Sequence, residues 1–155
     1  MDLAYFKRLF DYDHWANERV LNSWEATASP SEEAVHKISH VLVAKELWLA
    51  RLSPAPFPDF KQALTLPQAR KLNEALKERV NVYFSKLTDA QLSEKVAYKN
   101  MEGAPYETRL SDILAHMVNH GSYHRGQIAL LLKKSGGPST HTDYIGYVRE
   151  LDKKH

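Results

Sequence analysis

The sequence predicts an all-α protein, a four-helix bundle built as a single domain over residues 1–155. Three observations predict it. Apolar residues recur at spacings near 3.6 in four stretches of roughly twenty residues each. Proline- and glycine-bearing segments separate those stretches. The chain has 155 residues and no cysteine, so its core must close without disulfides, and a chain of this size can do so.

The first helix is expected over about Leu3 to Trp24, where Leu3, Phe6, Leu9, Phe10, Trp15, Val20, Leu21 and Trp24 form one apolar side and Ser29-Pro30 ends the run. The second begins at "SPSEEAVHKISHVLVAKELWLARL". Ser29 or Ser31 can cap it, Glu32 and Glu33 suit the positive end of the helix dipole, and the prolines of "SPAPFP" stop it near Leu52. The third, Leu66 to Leu87, opens with Pro67 and aligns Leu72, Leu76, Val80 and Phe84. In "EKVAYKNMEGAPYETRL", two short alternating runs flank Glu102-Gly103, which predicts a short hairpin before the last helix. The fourth helix starts near Thr108 or Ser111 and stops at Gly136-Gly137-Pro138. The connection from Ser53 to Thr65 is longer than a tight turn, so a simple up-down-up-down order is not required. The tail "STHTDYIGYVREL" is expected to fold back over one end of the bundle, with packing roles for Asp143 and Tyr144.

Composition excludes several classes of function. The net charge of +2 is spread along the chain, which argues against nucleic acid as a partner. No segment reaches the ~18 apolar residues that span a bilayer, and the N-terminal stretch has no apolar signal core. No membrane partner and a cytoplasmic location are therefore expected. Without cysteine there is no thiolate ligand or cysteine nucleophile, so any thiol chemistry must use a thiol from outside the chain.

The chemistry-bearing stretch is "HMVNHGSYHRGQI", with His116, His120 and His124 four residues apart. At 100° per residue, the apolar residues of this helix define an inward direction from which His124 departs by about 30°, His120 by about 70° and His116 by about 110°. His120 and His124 therefore face inward, with Cβ atoms about 5 to 6 Å apart. Either each bonds a neighbouring helix, or the two share a cation and need a further ligand from elsewhere. H-x-x-x-H alone does not decide. The further ligand could come from His36 or His40 on the second helix, from His14, or from His141. The second helix is apolar nearly all round, so periodicity does not choose between His36 and His40. His14, between Asp13 and Trp15, suits a surface position, and His155 a frayed end. Gln127, three residues after His124, can orient its ring, and Arg125 is expected to reach a carboxylate or an interface. Asn17 suits an interhelical amide.

"NHGSYHRGQI" at 119–128, "ISHVLVAKELWLARL" at 38–52, "YDHWANERVL" at 12–21 and "TDYIGYVRE" at 142–150 together resemble the DinB/YfiT-like family, in that family's order and over nearly the whole chain. The resemblance implies a four-helix bundle, often a homodimer, with a divalent metal held by three histidines, one from the second helix and two from the last. Residue by residue, these are His40, His120 and His124. Zinc and nickel are the expected metals. The role of His116 stays open between a group behind the ligands, a proton carrier and a polar edge of the core.

Three neutral imidazoles leave a metal with its full positive charge and an open position, as in reactive sites. The resemblance implies a metal-dependent enzyme transferring a low-molecular-weight thiol to an electrophilic small molecule. A metal-dependent hydrolase is the alternative, and it would need a carboxylate base that no acidic residue within four positions of His120 or His124 supplies. A non-catalytic, stress-related metal-binding or interaction protein is the other.

Overall fold

The computed structural model describes residues 2–60 and 63–153. Its helices are α1 (Leu3–Glu25), α2 (Glu32–Leu52), α3 (Leu66–Phe84), α4 (Leu110–Lys134) and α5 (Tyr144–Asp152). A 3-10 turn at Asp89–Ser93 and an antiparallel pair, β1 (Lys95–Lys99) and β2 (Pro105–Arg109), precede α4.

Side chains set the helix starts. The Asp2 carboxylate accepts from the Tyr5 amide at 2.8 Å, and the Ser31 hydroxyl from the Ala34 amide at 3.2 Å. Thr65 and Gln68 form a reciprocal capping box before α3. α3 ends at Phe84, a turn earlier than expected, because Ser85 to Leu87 close with tighter bonds from Lys86 to Tyr83 and from Leu87 to Phe84. Gly136, at φ 83°, ends α4 in a conformation that glycine alone adopts freely. Gly137 then lies so close to Thr27 that a Cβ would collide with its hydroxyl. The predicted hairpin is present, with Lys95 opposite Arg109 and Gly103, also at positive φ, in its turn.

The main helix packings are α1 on α3 and α4, and α2 on α4 and α3. α1 and α2 are thus set diagonally, as are α3 and α4, and the consecutive pair α2 and α3 forms one side of the bundle. Phe6, Leu21, Leu42, Leu76, Leu114 and Leu132 are buried along its axis, and the Phe10 and Phe84 rings meet edge to face at 5.3 Å.

The tail does fold back, as the helix α5 lying on α1. Tyr147 packs on Tyr12 and Trp15, and the Trp15 indole donates to Glu150 at 2.9 Å. Tyr144 serves that packing against Tyr12, whereas Asp143 is exposed at the start of α5 and its side chain makes no cap bond. Among the described residues no helix is long and apolar enough to cross a membrane.

Candidate metal centre

α2 and α4 pack side by side, and that contact brings His40 together with His120 and His124. The Nε2 atoms of His40 and His120 are 3.1 Å apart. Ring centroids stand 4.8 Å apart for His40 and His124, and 4.6 Å for His120 and His124. One nitrogen from each ring lies within 4.8 Å of the others, a grouping that can hold a metal ion. Nitrogens bound at about 2.0–2.1 Å to a tetrahedral metal stand roughly 3.3 Å apart, close to the spacing of His40 and His120.

The protonation states fit the same use. His124 Nδ1 faces Gln127 Oε1 at 2.9 Å, a contact in which Nδ1 donates and which leaves Nε2 as the nitrogen that can meet a ligand. The His120 ring is pushed down to about 4, first by burial and then by the neighbouring His124, His40 and His116. His40 is lowered by burial, then by His124 and Lys37. Near neutral pH these two rings carry no charge, the form in which a histidine binds a metal. A hydrogen bond between His40 and His120 would satisfy those two rings only. Among the described residues no protein group reaches Nε2 of His124. The residues present therefore fit a divalent metal.

All three rings are partly exposed. The buried stripe of α4 includes Val118, Gly121 and Arg125, so its centre lies about 30° further from the histidines than the apolar residues alone predict. The order His124, His120, His116 survives that shift, and the cluster opens to solvent at the bundle's side. His116 is exposed, with its ring 5.3 Å from Trp48 and 5.6 Å from His120. It sits at the rim, outside the three-histidine group.

The other histidines lie elsewhere. His36 is exposed one turn before His40, and His141 is an exposed loop residue whose carbonyl accepts from Arg19. His155 lies outside the described residues. His14 is not the surface residue expected. Its ring is partly buried between α1 and α3, where Nδ1 meets the Asn73 amide at 3.2 Å and Nε2 meets Glu74 at 3.3 Å. His14, Glu18 and Glu74 also stand close enough to hold an ion. Their atoms, however, are already matched: the Asn73 amide donates to Glu18 at 2.6 Å and Arg70 pairs with it at 3.5 Å.

Residues 9–153 match the DinB family. The chain belongs to that family. It is 28% identical over 161 aligned positions to the protein DinB of Bacillus subtilis (strain 168), covering 91% of this chain and 92% of that one. A crystal structure of a DinB-like protein from Bacillus cereus ATCC 10987 superposes with a TM-score of 0.61 at 18% identity, over 86% of this chain and 93% of the other. That second likeness is one of fold.

Behind the histidines of this DinB-family chain lies a feature the sequence only half disclosed. Asp13 of α1 accepts from Lys45 Nζ at 2.7 Å and from Arg125 Nη1 at 2.5 Å, and all three side chains are buried. Arg125 also donates to Asn17, whose amide donates to Asn73. The expected carboxylate partner of Arg125 and the interhelical role of Asn17 are therefore both found. Burial alone would raise the Asp13 carboxyl, but Lys45 and Arg125 outweigh it and hold it below the usual range. Lys45 was not anticipated, although a single lysine within "VLVAKELWLARL" is an anomaly in an apolar run that signals a buried partner.

Proposed function

We propose that this chain is a metal-dependent enzyme that transfers a low-molecular-weight thiol to an electrophilic small molecule, with zinc or nickel held by His40, His120 and His124. The convergence of three partly exposed imidazoles at one point carries this reading. A metal bound there would supply a Lewis acid that favours the thiolate form of an incoming thiol. His40 and His120 offer Nε2 lone pairs, and Gln127 fixes the His124 ring so that its Nε2 faces the same point. The chain has no cysteine, so the thiol comes from solution.

Hydrolysis fits less well because it calls for a free carboxylate base. Asp13, the carboxylate that acts on His120, is buried and engaged by two cations, and Glu46 pairs with Arg79 on α3. A purely structural metal fits less well because such sites are closed.

The test is the rate at which metal-loaded protein consumes a small thiol in the presence of an alkylating electrophile. The expected result is a rate at least about tenfold above background, abolished by a chelator and by His120→Ala. A background rate with zinc and nickel alike contradicts the proposal.

A further inference from the structure

Five arginines are withdrawn at least partly from solvent: Arg19, Arg51, Arg70, Arg79 and Arg125. Four of them have a carboxylate: Arg19 on Glu150, Arg70 on Glu18 and Glu25, Arg79 on Glu46, and Arg125 on Asp13. Arg51 has none among the described residues. Its guanidinium is held instead by two aromatic faces, 4.5 Å from the Trp48 ring centroid and 5.3 Å from that of Tyr98, rings that are themselves 5.0 Å apart. Stacking of this kind fixes the plane of the guanidinium and leaves its N–H edge free to donate.

Arg51 lines a cleft of about 530 Å³ between the end of α2, the segment after it and the hairpin. Leu47, Phe57, Phe60 and Met101 supply apolar walls, and Lys99 a second cation. The cleft adjoins the histidine cluster on two sides. Phe60, in its wall, lies 6.4 Å ring to ring from His40. Trp48, under Arg51, lies 5.3 Å from His116, which neighbours His120. The arrangement is a small-molecule site with apolar walls and a flat cationic anchor, with the histidine cluster next to it behind Phe60 and Trp48.

We infer that this cleft binds a carboxylate-bearing small molecule, with Arg51 donating to its carboxylate and the remainder of the ligand directed toward the histidines. This deepens the proposed function and rests on it for where the reaction occurs, but not for the binding itself. A planar, bidentate donor with no carboxylate partner among the described residues suits a carboxylate, and the proximity of Lys99 adds charge complementarity. The carboxylate can belong to the thiol or to the electrophile.

Calorimetric titration of the full-length, metal-free protein with mercaptosuccinate, fumarate and 2-mercaptoethanol tests this. Mercaptosuccinate is expected to bind more tightly than the uncharged thiol. Arg51→Gln should weaken it by about tenfold or more, Arg51→Lys should recover part of the loss, and Arg79→Gln should leave it unchanged. Fumarate binding as well as mercaptosuccinate would assign the carboxylate to the electrophile, and weaker fumarate binding would assign it to the thiol. Equal affinity in wild type and Arg51→Gln overturns the inference, as does carboxylate affinity that appears only when zinc is added and ignores Arg51. Should Arg51→Gln fail to fold, a wild-type affinity for mercaptosuccinate that does not fall with rising ionic strength overturns it equally. A protein whose histidines hold no metal would still give the metal-free result, so the two proposals fail separately.

Discussion

Two polar clusters stand back to back on α4, and they are built on opposite principles. Arg125 immediately follows His124, and Gly121 immediately follows His120, yet one side of the helix carries a closed ionic network and the other an open set of lone pairs. In the network, Asp13, Lys45, Arg125, Asn17 and Asn73 give each other hydrogen bonds, and all are buried. In the histidine set, the rings are partly exposed and bring one nitrogen each to a common point. Burial without a partner is costly for an ion, so the network's charges come paired, with Asp13 between Lys45 and Arg125, and only the Arg125 Nε is left without a hydrogen bond among the described residues. Imidazoles at a solvent-facing edge tolerate an unmatched nitrogen, which keeps them available to a ligand. The first cluster fixes how α1, α2 and α4 meet, and the second uses the geometry so fixed.

The largest expected effect falls on the closed side. Asp13→Ala leaves Lys45 and Arg125 buried without their carboxylate and should cost about 3–5 kcal/mol in denaturant unfolding. A loss below about 1 kcal/mol would show that water replaces the carboxylate and that the network is not closed. Next is Gly121→Ala. Its Cβ would sit 2.6 Å from Asp13 Oδ1 and 2.7 Å from Arg125 Nη1, so the ion pair must shift, at a cost of about 1–3 kcal/mol.

The two clusters should also fail in different pH ranges. In metal-free protein, the unfolded chain takes up a proton on His120 near 6.5, while the folded chain does so only near 4. Stability is therefore lost as pH falls from about 6.5 to about 4, and His40 and His116 shift the same way. Asp13 has its folded value below 3.8, so its contribution is present above that pH and lost beneath it. Unfolding followed against pH should show both stages, with His120→Gln diminishing the upper one and sparing the lower. Gln127→Ala carries the smallest effect, a roughly tenfold loss of metal affinity in a competition titration with unfolding hardly altered, because it only orients His124.

The sequence made much of this legible because helical periodicity and end signals are local. Ser31, Pro67 and Gly136 marked ends that the structure keeps, and the four-residue spacing ranked His124, His120 and His116 correctly for inwardness. Periodicity tells which face turns inward but not which neighbour it meets. That is why His40 could be preferred to His36 only through the family resemblance, and why the diagonal arrangement and the pairing of Asp13 with Lys45 were not visible. α5 is nine residues long and too short to be stable alone. Its stability comes from Tyr12 and Trp15 more than a hundred residues earlier in the chain, information that its own stretch does not contain. His14 was misplaced for the same reason, since its partners Asn73 and Glu74 belong to α3.

The most direct test of the open cluster is metal content by elemental analysis of untagged protein, comparing wild type with the His120→Ala, His124→Ala double variant. The account predicts about one divalent ion per chain in the wild type and none in the variant, which should otherwise fold and unfold as a native bundle. Wild-type protein that carries no ion, and binds neither zinc nor nickel when they are added, would contradict it and make the three histidines a polar edge of the core.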